Sequence, residues 1–278
     1  MNETQGPQKA TPERSSSNGP LLALKGISKR FGAVEALKDV EFELRAPEVV
    51  GLVGDNGAGK STLIKAIAGV QPADEGEIRF EGNRVALNSP QAATRLGIAT
   101  VYQDLALCEN LDVVENLYLG QEVGNHIPGL DLLDEPTMEE RTLELLDSLR
   151  VTTIRSVRTE VAQLSGGQRQ AIAIARSLLG EPKVVLLDEP TAALGIVQTR
   201  EILNLIARLK ERGLGVVVIS HNLQNVFEVA DRIVVLRLGR AVASLDADET
   251  KREEVVGAIT GAEFGDEGVD RTTEEQAL

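Results

Sequence analysis

Three short stretches of this chain gather residue types that handle phosphate, metal and water. The first is Gly54-Asp55-Asn56-Gly57-Ala58-Gly59-Lys60-Ser61, which fits G-x-x-x-x-G-K-[ST]. Its glycines let the backbone curl until successive N–H groups face one point, and a following helix adds its positive end. Lys60 is then placed to reach β- and γ-phosphates, and the Ser61 hydroxyl to ligate Mg²⁺; Thr62 continues the same turn. The pattern predicts a bound nucleoside triphosphate.

Such a loop needs a carboxylate near the metal and a base for the attacking water. Val184-Val185-Leu186-Leu187-Asp188-Glu189-Pro190 offers both at the end of an apolar run. Asp188 is expected to hold Mg²⁺, directly or through water. Glu189 is expected to polarise the water, a role worth roughly 10²–10⁴ in rate. The same six letters, Leu-Leu-Asp-Glu-Pro-Thr, occur twice, at 132–137 and at 186–191. Gly129 and Asp131 stand before the first copy, where the second has a buried-strand run, so the first copy reads as a helix start. Asp134 would be its cap, with Pro136 near the first helical position.

The third stretch is Leu164-Ser165-Gly166-Gly167-Gln168, whose last residue stands twenty positions before Asp188. Ser165 and Gln168 make an S-x-x-Q capping box. Two glycines in the first turn leave the backbone bare enough for an anion to approach. Read alone, the stretch is a capped helix start.

These motifs need a frame. Apolar runs at 49–53, 184–187 and 216–219 read as strands buried on both faces, as in a parallel sheet. Ile202, Leu205, Ile206 and Leu209 fall at helical spacing between two of them. Val40, Phe42 and Leu44 alternate with acids, and Ile78 and Phe80 precede Gly82-Asn83 and Val85, a half-buried strand and a hairpin. From about 104 to 163 no comparable buried strand occurs. Met138, Leu145, Leu146 and Leu149 suggest an amphipathic helix there, so this stretch reads as a helical insertion.

Residues 1–20 are polar and read as a tail; so do 263–278, with six acids against Arg271 alone. That second tail supplies −5 of the net charge of −14. The acidic balance argues against sequence-independent nucleic-acid binding. One cysteine, Cys108, excludes an internal disulfide and fits a reducing compartment. No apolar run approaches the ~18 residues of a membrane span, and the first residues lack the pattern of a secretory signal.

The phosphate loop, LSGGQ and the acidic strand end, in that order, resemble the ATP-binding cassette (ABC) family over about 21–262. The resemblance implies an α/β fold: a P-loop NTPase, RecA-like core with an antiparallel β subdomain and an inserted helical subdomain at about 104–175. It implies ATP and Mg²⁺, and two cassettes meeting head to tail, so that Ser165, Gly166, Gly167 and Gln168 of one face the γ-phosphate on the other. By the same resemblance Gln103 looks like the glutamine that senses Mg²⁺ and the attacking water. His221 looks like the histidine that contacts the γ-phosphate and braces Glu189, while His126 looks like a bystander. Phe31 stands where an aromatic stacks on adenine; a core or loop phenylalanine is the alternative. Gly195 departs, because most members have an aspartate there that helps couple the two sites.

Thr191-Ala192-Ala193-Leu194-Gly195, together with Val101–Leu107 and Ser220–Asp231, is similar to the importer branch for ribose, xylose, galactose and fructose, most closely its fructose-type single-cassette members. That resemblance implies an ATPase subunit on the cytoplasmic face of a bacterial inner membrane, peripheral to a multi-span permease and working with a sugar-binding protein. Since no internal repeat is present, it implies a homodimer. A soluble ABC ATPase of iron–sulfur cluster assembly is the alternative. A chromosome-maintenance cassette would need a coiled coil longer than this insertion, and a plain P-loop kinase leaves LSGGQ and His221 unexplained.

Overall fold

The computed structural model describes residues 19–127 and 130–262. The two terminal tails lie outside this range apart from residues 19 and 20. In chain order the first elements are strands β1 (Leu22–Phe31), β2 (Val34–Leu44) and β3 (Glu48–Val53), then helix α1 (Lys60–Ile67). Strands β4 (Glu75–Phe80) and β5 (Asn83–Val85), helix α2 (Pro90–Arg95) and strand β6 (Ile98–Val101) follow. Helix α3 (Val113–Tyr118), strands β7 (Gly124–Ile127) and β8 (Leu130–Leu133), and helices α4 (Glu135–Ser148) and α5 (Gly166–Leu178) come next. The chain then runs through β9 (Val184–Asp188), α6 (Ile196–Glu211), β10 (Gly215–Ile219) and α7 (Leu223–Val229). It closes with β11 (Arg232–Arg237), β12 (Arg240–Asp246) and α8 (Arg252–Thr260).

Two sheets carry the architecture. The larger is ordered β12-β11-β3-β10-β9-β6, parallel except for β12. Its central strands divide their side chains by pleat alternation between two cores. Val49, Val53, Val185, Leu187, Val216 and Val218 pack with α3, α5 and α6. Val50, Leu52, Val184, Leu186, Val217 and Ile219 pack with α1 and the second sheet. That sheet, β2-β1-β4-β5, is antiparallel. Its β4–β5 turn holds Glu81 and Gly82 at φ 50° and 79°, the doubly left-handed turn whose twist suits a two-residue hairpin. The apolar runs thus become doubly buried strands as their composition predicts.

Helix α4 also forms where the Met138, Leu146 and Leu149 spacing puts it, with these three buried. One element was not expected: β7 and β8 pair as a small antiparallel hairpin between α3 and α4. Among the described residues this pair carries no buried apolar run, since Leu132 and Leu133 are exposed.

Candidate nucleotide site

Parallel register brings the chemistry to one edge. Leu52 on β3 pairs with Ile219 on β10, which pairs with Asp188 on β9; Leu187 pairs with Val101 on β6. The residues that follow all leave from the carboxyl ends of neighbouring strands. Gly54, His221, Glu189 and Gln103 therefore gather at one rim, the usual ligand edge of an open α/β sheet.

The loop between β3 and α1 has the predicted cradle geometry. Gly54, Gly57 and Gly59 all have positive φ (148°, 79° and 107°). A Cβ on Gly54 would lie 2.1 Å from the Leu236 carbonyl oxygen, and one on Gly59 2.7 Å from that of Ala36. These two glycines are therefore fixed by packing as well as by conformation. The Ala58 carbonyl accepts from Gly239 in the β11–β12 turn at 3.0 Å, which straps the loop from outside. Asp55, Asn56 and Gly57 form its exposed apex, and Ser61 and Thr62 lie in the first turn of α1. Lys60 folds back, its Nζ donating to the carbonyls of Gly54 (2.7 Å) and Asp55 (2.9 Å). Burial pulls its pKa down, while the charges of Glu189, Asp55 and Asp188 act in the opposite direction. A half-buried cation turned toward an open cradle suits a polyphosphate.

Asp188 ends β9, and burial together with the charge of Glu189 raises its pKa; Lys65 and Lys60 partly offset this. Glu189 is held on two sides. Its N–H donates to the Ile219 carbonyl at 3.0 Å, and its carboxylate lies 2.9 Å from Nδ1 of His221. The residue adopts φ 52°, a left-handed backbone that costs energy for a side chain of this kind. Such strain is maintained by the strand pairing beneath it. Among the described residues no group of three or more His, Cys, Asp or Glu could hold a metal alone. The donors at the edge are instead Ser61 and Asp188, with Gln103 at the same rim. Few protein oxygens beside a phosphate cradle fit Mg²⁺, which keeps waters and takes other ligands from the phosphates.

Gln103 is exposed just beyond β6, two residues past Val101, the partner of Leu187. Phe31 is 44% exposed at the β1–β2 turn, which removes the core alternative. The capping box of Ser165 and Gln168 is formed in both directions, at 2.8 and 3.3 Å. Its glycines are less bare than the sequence reading supposed. A Cβ on Gly167 would lie 2.9 Å from the Cβ of Gln198, so this glycine admits the start of α6. The phosphate loop, Asp188, Glu189 and His221 thus share one rim, whereas Ser165–Gln168 sits on the separate start of α5. The side chain of His126 lies outside the described residues. Sequence reasoning missed Lys65, Gly239, Ala36 and Gln198. Their contacts join positions far apart in the chain, and no local pattern marks them.

The profile of the ABC transporter family matches residues 37–192, more than half of the chain. The chain belongs to this family. It is a transport-coupled ATPase in type, with the mixed α/β architecture of these cassettes. Among its relatives, the xylose/arabinose import ATP-binding protein XylG of Sulfolobus acidocaldarius is 46% identical, over 88% of this chain and 96% of that protein. The fructose import ATP-binding protein FrcA of Rhizobium meliloti is 44% identical, over 87% and 95%. The ribose import ATP-binding protein RbsA 1 of Rubrobacter xylanophilus is 42% identical over 92% of this chain but 50% of its own length. A cassette of an ABC transporter in its ADP conformation superposes with a TM-score of 0.75 at 27% identity, covering 88% of this chain and 96% of that one. A dimeric post-hydrolysis cassette with ADP and Pi gives 0.67 at 28% identity, over 81% and 98%. Among the described residues no helix is long and apolar enough to cross a membrane.

Proposed function

We propose that this chain binds and hydrolyses ATP to drive monosaccharide import through a membrane permease. The observation carrying the catalytic part is the Glu189–His221 pair, 2.9 Å apart at the rim that also bears the phosphate loop. Gly54–Gly59 and Lys60 hold the phosphates, Ser61 and Asp188 hold Mg²⁺, and Phe31 stacks on the base. Mg²⁺ supplies charge neutralisation on the phosphates. Glu189 takes a proton from the attacking water while His221 keeps its carboxylate aimed, and Gln103 reports the state of water and metal. Ser165, Gly166, Gly167 and Gln168 serve the ATP on a second copy, which makes the working unit a homodimer. The helical stretch at about 104–175 passes its motion to the permease.

The sugar assignment rests on the relatives. Those named above are import proteins for xylose and arabinose, fructose or ribose, which favours this reading over iron–sulfur cluster assembly. Identities of 46% and 44% do not separate pentose from fructose relatives, so the substrate class is monosaccharide. A sugar-binding protein and a place on the cytoplasmic face of the inner membrane follow from the same reading.

The test is sugar uptake by cells lacking the chain. Uptake of labelled fructose, xylose or ribose is expected to fall, and to return with the wild-type chain but not with Glu189→Gln. Unchanged uptake of all three would overturn the proposal.

A further inference from the structure

Between Gln103 and α3 the chain crosses to the helical side through residues 104–111, held from two helices. Asn116 on α3 is fully buried. Its Oδ1 accepts from the Cys108 N–H at 2.8 Å, and its Nδ2 donates to the carbonyls of Cys108, Leu111 and Asp112. From the other side Arg176, in the last turn of α5, donates through Nη2 to the Leu105 carbonyl at 2.7 Å. Its Nη1 donates to the Ala106 carbonyl at 2.8 Å.

Two features make Arg176 more than a surface contact. It is half-buried, and burial lowers its pKa, yet no carboxylate pairs with it in the ion pairs of the described residues. A guanidinium drawn from water without a counter-charge is costly. Here its planar fork is matched by two successive backbone carbonyls, a fit an ammonium cannot reproduce. The second feature is Ala106, at φ 48°. A side-chain-bearing residue stays in that region only where its surroundings fix it, and both arginine bonds land at this kink.

We propose that Arg176 is a positioning residue for Gln103, pinning the backbone two and three positions beyond it to the helix that begins beside Ser165. Helix α5 is a rod of 13 residues, so its two ends move together. The arginine makes the base of the Gln103 segment part of that rod. Displacement of the Ser165 end, where a second copy would press, then shifts the backbone from which Gln103 reaches the rim. The inference rests on the reading of Gln103 given above.

The test is a double-mutant cycle on the ATPase activity of the full chain. Arg176→Ala is expected to lower kcat about tenfold or more, as small misplacements near chemistry do, with KM for ATP within about twofold. In a Gln103→Ala background the same substitution should cost nothing further, because the two act in series. Equal fold-losses in both backgrounds would overturn the proposal, as would wild-type kcat in Arg176→Ala. Wild-type kcat in Gln103→Ala would instead remove the underlying reading of Gln103, and the proposal with it. Arg176→Lys keeps charge and length but loses the fork, and carries the same cycle if the alanine variant does not fold. Wild-type kcat in the lysine variant also overturns the proposal.

Discussion

Leu132–Thr137 and Leu186–Thr191 are letter-for-letter the same, and the fold makes different things of them. Leu186 and Leu187 are fully buried in β9, between β10 and β6; Leu132 and Leu133 are 47% and 59% exposed on a two-stranded hairpin. Asp188 ends its strand at the phosphate rim. Asp134 turns back and caps α4, accepting from the Thr137 N–H at 3.2 Å and its hydroxyl at 2.8 Å. Glu189 is fixed against His221 at φ 52°. Glu135 instead begins the helix and meets Arg158 at 3.2 Å on the surface. Even the threonines differ, since Thr191 accepts from Asn225 on α7. A carboxylate becomes a candidate base through what surrounds it, and both flanks of the hexapeptide contribute.

The largest expected difference between the copies is kinetic. Glu189→Gln should abolish steady-state ATP hydrolysis, a loss of about 10²–10⁴, while retaining ATP binding and sedimenting as an ATP-dependent dimer. Glu135→Gln should stay within about twofold of wild type. A comparable loss at Glu135 would reverse the assignment of the two acids. Next comes packing. Leu187→Ala should destabilise by about 2–5 kcal/mol in denaturant titration, whereas Leu133→Ala should stay within about 0.5 kcal/mol. Matching losses would show that the hairpin leucines are covered in solution.

Smaller effects separate the aspartates. Asp134→Ala should cost about 1 kcal/mol through the lost cap, with ATPase activity intact. Asp188→Asn works through protonation in the nucleotide-free protein. Its pKa is raised on folding, so the native state holds the proton where the unfolded chain has released it. Stability therefore falls as pH rises from about 4, the ordinary carboxylate value, through the raised native value. The asparagine variant should lose this slope and melt higher than wild type above that window, measured as Tm against pH. Parallel curves for the two proteins would contradict the buried, charge-crowded setting given to Asp188.

Much of this molecule was legible in the sequence because the signals were local. Glycines and a lysine at fixed offsets define the cradle, a serine and a glutamine three apart cap α5, and doubly apolar runs make doubly buried strands. The β4–β5 hairpin was visible for the same reason, although its turn falls at Glu81-Gly82, one residue before the expected Gly82-Asn83, because Asn83 pairs with Phe80. The β7–β8 hairpin was not, since an exposed pair of strands leaves no buried run to find. Gly167 reads as bare backbone in the sequence, yet Gln198 fills its space from thirty-one residues away.

By itself the sequence determined the cradle, the order of the motifs and which elements would be buried, because each depends on residues a few positions apart. The flanks tell the two Leu-Leu-Asp-Glu-Pro-Thr copies apart, but only tertiary structure decided what the carboxylates of the second copy meet. That meeting is made by strand register, which aligns Asp188 with Ile219 and Leu52 and so sets Glu189 beside His221. It likewise decided that Arg176 meets the backbone seventy positions earlier. Such contacts depend on how helices and strands pack, and packing joins positions that sequence spacing leaves unrelated.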